Sequence, residues 1–240
     1  MDLPSLHSRF LDEVLPRIRQ DPRVTDVVLS GSIAGGQPDV YSDVDLIVVV
    51  EDAAFDAIMR ERLDLIGSWT DLVVGFTGEH VGEPRLIITL VGPPLLHVDF
   101  KFVRATDFAE RAEEPPLDLQ WIEDRFWVWV HYGATKIGRG ELFEAIGMLG
   151  FLRDAVLGPL AARRVGAPSR GTRHLENIAP EEARALRATL CGYDRADVGR
   201  ALLVAVDLYR QWLGDAPVER RGEAEKLAVQ YLHDVLAEAS

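Results

Sequence analysis

Two aspartates one residue apart, Asp43 and Asp45, stand at the head of an apolar run, "DVDLIVVV" (43–50). Side chains alternate with period two along a strand, so both carboxylates point to one side, with roughly 6–7 Å between their backbone positions. Like charges at the lip of an apolar strand repel each other and resist desolvation. A divalent cation removes both penalties, and Mg²⁺ binds one or two carboxylates together with substrate phosphates. Upstream, "TDVVLS" (25–30) runs into Gly31 and Ser32. Glycine lets backbone amides approach a phosphate closely, and a serine hydroxyl donates to a phosphoryl oxygen. A short helix starting after Ser32 would add free N–H groups. No GK[ST] follows, so this is not a Walker loop, and the glycine spacing is wrong for the dinucleotide fingerprint. Downstream, Asp99 is a lone acid between Val98 and Phe100, and His97 shares its strand face.

Gly31-Ser32, ten residues, then Asp-Val-Asp opening an apolar strand resembles the DNA polymerase β-type nucleotidyltransferase superfamily. That resemblance implies Mg²⁺, two ions in all, at Asp43 and Asp45. It also implies a nucleoside triphosphate, ATP or another, resting on the Gly31-Ser32 turn, and a third carboxylate on a neighbouring strand. Asp99 sits where that residue belongs, as a ligand and as general base for an acceptor hydroxyl. Gly35 departs from the pattern, which often has arginine or another polar residue there.

A second segment, "EDRFWVWVHYGATKIGRGELFEAIGML" (123–149), resembles the aminoglycoside adenylyltransferases of the streptomycin-modifying type. The matching residues are Phe126, Trp127, Trp129, Val130, Tyr132, Ala134, Lys136, Arg139, Glu141 and Ala145. Lys136 is one of three lysines, and an ammonium suits a β- or γ-phosphate. Trp127 and Tyr132 are candidates to stack on a base or sugar, and Glu123 and Glu141 to attract a cationic substrate. The resemblance implies transfer of a nucleotide, AMP from ATP foremost, onto a hydroxyl of a small cationic acceptor such as an aminoglycoside, with release of pyrophosphate. Two other readings stay open: a protein- or tRNA-modifying, antitoxin-like enzyme, and a nucleotide-binding regulator without catalysis.

These residues need a scaffold, and the chain predicts an α/β (α+β) domain with a mixed sheet over 1–114, followed by an α-helical bundle over 117–240. Phe10, Val14 and Ile18 recur every four residues in a helix from Ser5 to Gln20, with a break or kink expected near Pro16. The β-branched run 45–50 reads as a strand buried on both faces. Asp52 is a candidate cap for a helix to Ile66. Strands follow at 71–76, 85–91 and 95–103, with "GPP" (92–94) as a hairpin turn. After the prolines at 115 and 116, helices are expected over 119–133, 140–164, 180–191, 194–213 and 222–238, with 163–173 as a loop. The active site is expected between the two domains.

The net charge of −13 disfavours an extended nucleic-acid surface and favours cationic small molecules. Cys191 is the only cysteine, which excludes an internal disulfide and a thiolate metal cluster. The histidines show no metal spacing, and no G-x-S-x-G is present. With no run of eighteen uncharged apolar residues and no signal-like N-terminus, a cytoplasmic protein that spans no membrane is expected. Nothing in the pattern argues for an oligomer.

Overall fold

The computed structural model describes residues 5–36, 38–109 and 116–238. The chain divides into two compact units, 1–113 and 114–240.

The first unit is built on a five-stranded mixed sheet in the order β1-β2-β5-β4-β3. The strands are β1 (Val24–Leu29), β2 (Val44–Val50), β3 (Leu72–Gly78), β4 (Glu83–Val91) and β5 (Leu96–Arg104). β2 and β5 run parallel and every other pair is antiparallel. Apart from Asp45, every residue of β2 is buried, as its apolar run predicts. One face of the sheet packs under α1 (Ser5–Ile18) and α3 (Phe55–Trp69). Leu11, Val14 and Ile18 from α1, and Ile58, Ile66 and Trp69 from α3, meet Leu46, Val48, Val98, Phe100 and Phe102. Each such side chain contributes about 1.5–3 kcal/mol of burial. On the other face, α4 (Ala105–Ala109) brings Ala105 and Phe108 onto Ile47, Val49 and Val103.

Two local expectations are corrected. Of the break or kink expected near Pro16, the break is absent: α1 runs through Pro16 to Ile18, because a proline in the last turn forfeits few of the helix's backbone bonds. Asp52 does not cap α3, whose first flanking residue is Ala54. Its carboxylate instead accepts from the Thr106 N–H at 3.3 Å and the Thr106 hydroxyl at 2.9 Å, tying α4 to the end of β2.

In the second unit, α5 (Leu119–Gly138), α6 (Leu142–Leu152), α7 (Gly158–Arg164), α10 (Arg195–Leu213) and α11 (Gly222–Ala237) enclose one apolar core. Short α8 (Leu175–Ile178) and α9 (Pro180–Leu186) lie between α7 and α10. The expected helix over 140–164 is continuous but not regular, since residues 153–157 widen into a π-helical turn between α6 and α7. That stretch, Leu142–Arg164, is long and apolar enough to cross a membrane by length and composition. Its buried residues, Leu149, Leu152, Val156, Leu157 and Leu160 among them, belong to the unit's core.

Candidate active site

The antiparallel ladder between β1 and β2 ends with Leu29 opposite Leu46. One residue further, the Ser30 N–H donates to the Asp45 carbonyl at 2.9 Å, which delivers Gly31 to the side of Asp45. Gly31 begins α2 (Gly31–Ala34), and Ile33, 4% exposed, anchors this turn in the core. The glycine is required twice over. Its φ is +62°, and a Cβ built there would lie 1.8 Å from an Asp45 carboxylate oxygen. The Gly31-Ser32 turn and the second aspartate are therefore in direct contact. The hydroxyl oxygen of Ser32 is buried and has no hydrogen-bond partner among the described residues. An orphaned buried hydroxyl costs about 1–3 kcal/mol, which a phosphoryl acceptor would recover.

The parallel pairing of β2 with β5 puts Asp45 level with Asp99, and the β4–β5 hairpin puts Ile88 on the other side of Asp99. Asp43 lies just before β2. Carboxylate oxygens of Asp43, Asp45 and Asp99 all fall within 4.8 Å of one another, and each residue is half-buried. The structure thus brings the three predicted ligands to one spot beside Gly31 and Ser32. Three like charges so close, in partial burial, favour an oxygen-seeking divalent cation. The donor set fits such an ion: it is all carboxylate, and it adjoins the orphaned serine hydroxyl. His97 does reach this cluster, with Nε2 3.0 Å from Asp99 Oδ1.

The residues proposed from the second segment are placed within their own unit. Glu123 lines no surface there: it is fully buried. It accepts from the Trp127 indole N–H at 3.2 Å, the Arg221 backbone N–H at 2.8 Å and the Tyr209 hydroxyl, with Arg220 at 3.5 Å. Burial alone would raise its pKa, but the Tyr209, Arg221 and Trp127 bonds outweigh it and hold the carboxyl below its ordinary value. The same burial and the Glu123 charge push Tyr209 up. Trp127 is 2% exposed and packs edge-on to Phe126 and Tyr209, so it is core rather than a stacking platform. Phe126, Val130, Ala134 and Ala145 are buried alongside it, so much of that aromatic motif records packing.

Lys136 is not free to meet a phosphate unopposed. Its ammonium pairs with Glu141 at 2.6 Å and Glu144 at 2.8 Å, which together raise its pKa. Tyr132 is exposed, donates its hydroxyl to Glu144 at 2.8 Å, and offers its ring face to Lys136. Glu144 was not anticipated. Its signal was a position in the first turn of α6, within reach of a lysine at the end of α5.

The connection from β1 to β2, tipped by the buried Ser32 hydroxyl, lies beside three convergent carboxylates, a donor set that suits a divalent cation next to a phosphate. Residues 11–92, 82 of the 240, match the family described as "Nucleotidyltransferase domain". That match lies wholly within the first unit and covers about a third of the chain. The match includes Gly31, Ser32, Asp43 and Asp45 and stops short of Asp99, which the fold alone supplies. Among solved structures, the chain is similar to an aminoglycoside 6-adenyltransferase from Bacillus subtilis, at 12% identity over 94% of this chain and 97% of that one, with a TM-score of 0.44. It is also similar to a STING-associated CdnE c-di-GMP synthase from Capnocytophaga granulosa, at 14% identity over 97% and 79%, with a TM-score of 0.32. No curated protein gives a significant sequence match.

Proposed function

We propose that the protein is a Mg²⁺-dependent adenylyltransferase that moves AMP from ATP onto a hydroxyl of a small cationic acceptor such as an aminoglycoside, releasing pyrophosphate. The observation that carries the metal and nucleotide part is the meeting of Asp43, Asp45 and Asp99 within 4.8 Å, next to the Gly31-Ser32 turn. The acceptor class rests on the net charge of −13 and on the resemblance of residues 123–149.

Bound at the three carboxylates, Mg²⁺ would supply neutralising charge for the triphosphate and lower the pKa of the acceptor hydroxyl. The chain's own groups do the rest. Ser32 donates to a phosphoryl oxygen, and the Gly31 turn lets the phosphate approach. Asp99 takes the proton of the acceptor hydroxyl as its oxygen bonds to the α-phosphorus. The bond from the α-phosphorus to the bridging oxygen breaks, and that electron pair leaves with pyrophosphate. Alignment and charge placement are the main contributions. His97, bonded to Asp99, orients that carboxylate.

Thermal melts with ATP and Mg²⁺, separately and together, test the binding part, and cooperative stabilisation by the pair is expected. Incubation with ATP, Mg²⁺ and an aminoglycoside panel, following pyrophosphate, tests the transfer. Binding with no release from any acceptor would favour a regulator, and AMP appearing on protein or tRNA would redirect the acceptor assignment.

A further inference from the structure

The three carboxylates are not held equally. Asp45 lies within β2, paired to β5 on one side and receiving the Ser30 N–H on the other. Asp99 lies within β5, between β2 and β4. Asp43 precedes the first laddered residue, Val44, so no strand pairing fixes its backbone. On its other side, the peptide group before it is held from outside the strand. A peptide is planar, so the direction of the Ser42 carbonyl sets the torsions on either side, including φ of Asp43, and hence the direction of its side chain.

That carbonyl is met by a side chain from far along the chain. His7, in α1, places Nε2 2.6 Å from the Ser42 oxygen. A carbonyl only accepts, so the ring donates from Nε2. His7 is 1% exposed, and Nδ1 has no hydrogen-bond partner among the described residues. The other side of Ser42 is held by a turn around Asp39. The Ser42 hydroxyl accepts the Asp39 N–H at 2.9 Å, and the Tyr41 N–H donates to the Asp39 carboxylate at 2.8 Å. The loop between α2 and β2 is thus pinned at the residue before the first carboxylate. Filling a buried slot in α1 calls only for an apolar side chain. A buried imidazole whose Nδ1 meets no partner among the described residues carries a polar cost that the bond to Ser42 helps to offset.

We infer that His7 is a positioning residue for Asp43, aiming that carboxylate at the point where Asp45 and Asp99 converge, and so setting the affinity of the cluster for a divalent cation. This rests on the metal reading above. Loss of an outer-shell partner of a metal ligand weakens metal binding by about 10–100-fold, and His7 acts one peptide further out, so about tenfold is expected.

Mn²⁺ binding to the whole chain, read by electron paramagnetic resonance of the free ion, tests this without any acceptor. His7→Leu is expected to weaken binding about tenfold, and His7→Gln, whose amide nitrogen reaches the position of Nε2, to restore it to within about threefold. Leu11→Ala, in the same helix and 5% exposed, serves as the stability control: a lowered melting temperature with unchanged Mn²⁺ affinity is expected. Equal affinity in wild type and His7→Leu, an equal loss in Leu11→Ala, or no rescue by Gln would each overturn the positioning role. No binding by wild type, or binding that Asp45→Asn leaves intact, would instead overturn the metal reading itself. Independently of metal, the ¹⁵N spectrum of His7 is expected to show the Nε2–H tautomer, and a bare Nε2 would overturn the proposal.

Discussion

Asp43, Asp45 and Asp99 bring three carboxylates within 4.8 Å in the first unit, while in the second Glu123 is a single carboxylate ringed by Tyr209, Trp127, Arg221 and Arg220. The two regions treat the same chemical group in opposite ways. Glu123 is fully buried yet complete, because its oxygens receive donors from α5, α10 and the segment before α11. The triad is only half-buried, and its members add repulsion to one another rather than donors. A buried acid whose oxygens the protein's own donors surround serves the fold, whereas three acids crowded within reach of one another suit a cationic ligand. Changing one member of each set should therefore move stability and activity in different directions.

The largest separation is expected for Asp45→Asn. The amide keeps the shape but loses one of three charges, so pyrophosphate release should fall by about a thousandfold or more. Without divalent ions the melting temperature should hold or rise, since a like-charge repulsion has gone. A melt lowered by several degrees would place Asp45 with the structural acids and undo the contrast.

Glu123→Leu should do the reverse. It strands the Tyr209 hydroxyl, the Trp127 indole N–H and the Arg221 backbone N–H, and should cost about 3–5 kcal/mol in urea unfolding. Mn²⁺ affinity in whatever fraction remains folded should be unchanged. Glu123→Gln, which keeps one acceptor oxygen, should lose less. The acid limb sharpens the point. Because its folded pKa is depressed, the Glu123 contribution is present above the ordinary value of 4.5 and disappears as pH falls below it. The wild type should lose more stability between pH 5 and the acid limit than Glu123→Gln does, by pH-dependent melts.

How far these roles could be read in advance followed from the range of the forces involved. Strand alternation put Asp43 and Asp45 on one side, a short-range signal although Asp43 lies just before β2, and the family resemblance pointed to Asp99 as the third acid. The mixed sheet, the hairpin at Gly92–Pro94 and the main helices were legible from short-range signals too. Glu123 was misjudged because helical periodicity shows a face and not what covers it. Tyr209 lies 86 residues away, and only the folded core joins the two. His7 was invisible for a like reason: its bond to Ser42 spans 35 residues and follows no motif spacing. The π-helical turn at 153–157 has no hydrophobic signature distinct from the α-helix around it.

Gly31→Ala tests the contact between turn and triad with a smaller expected effect. An alanine there must adopt a left-handed backbone and displace the Asp45 carboxylate, at a cost of about 1–2 kcal/mol. Metal affinity should fall more steeply than stability, because the displaced group is a ligand. A loss confined to stability would mean that the turn can shift without disturbing Asp45.

The smallest effect is expected at Lys136. A lysine that meets a triphosphate directly should raise KM for ATP about tenfold or more when truncated. Here the ammonium already serves Glu141 and Glu144, whose charges hold its proton firmly and compensate its charge locally. Lys136→Ala should therefore change KM for ATP by less than about threefold, with a modest loss of stability from two exposed acids left side by side. A tenfold rise in KM with unchanged stability would show that those two pairs open when nucleotide binds.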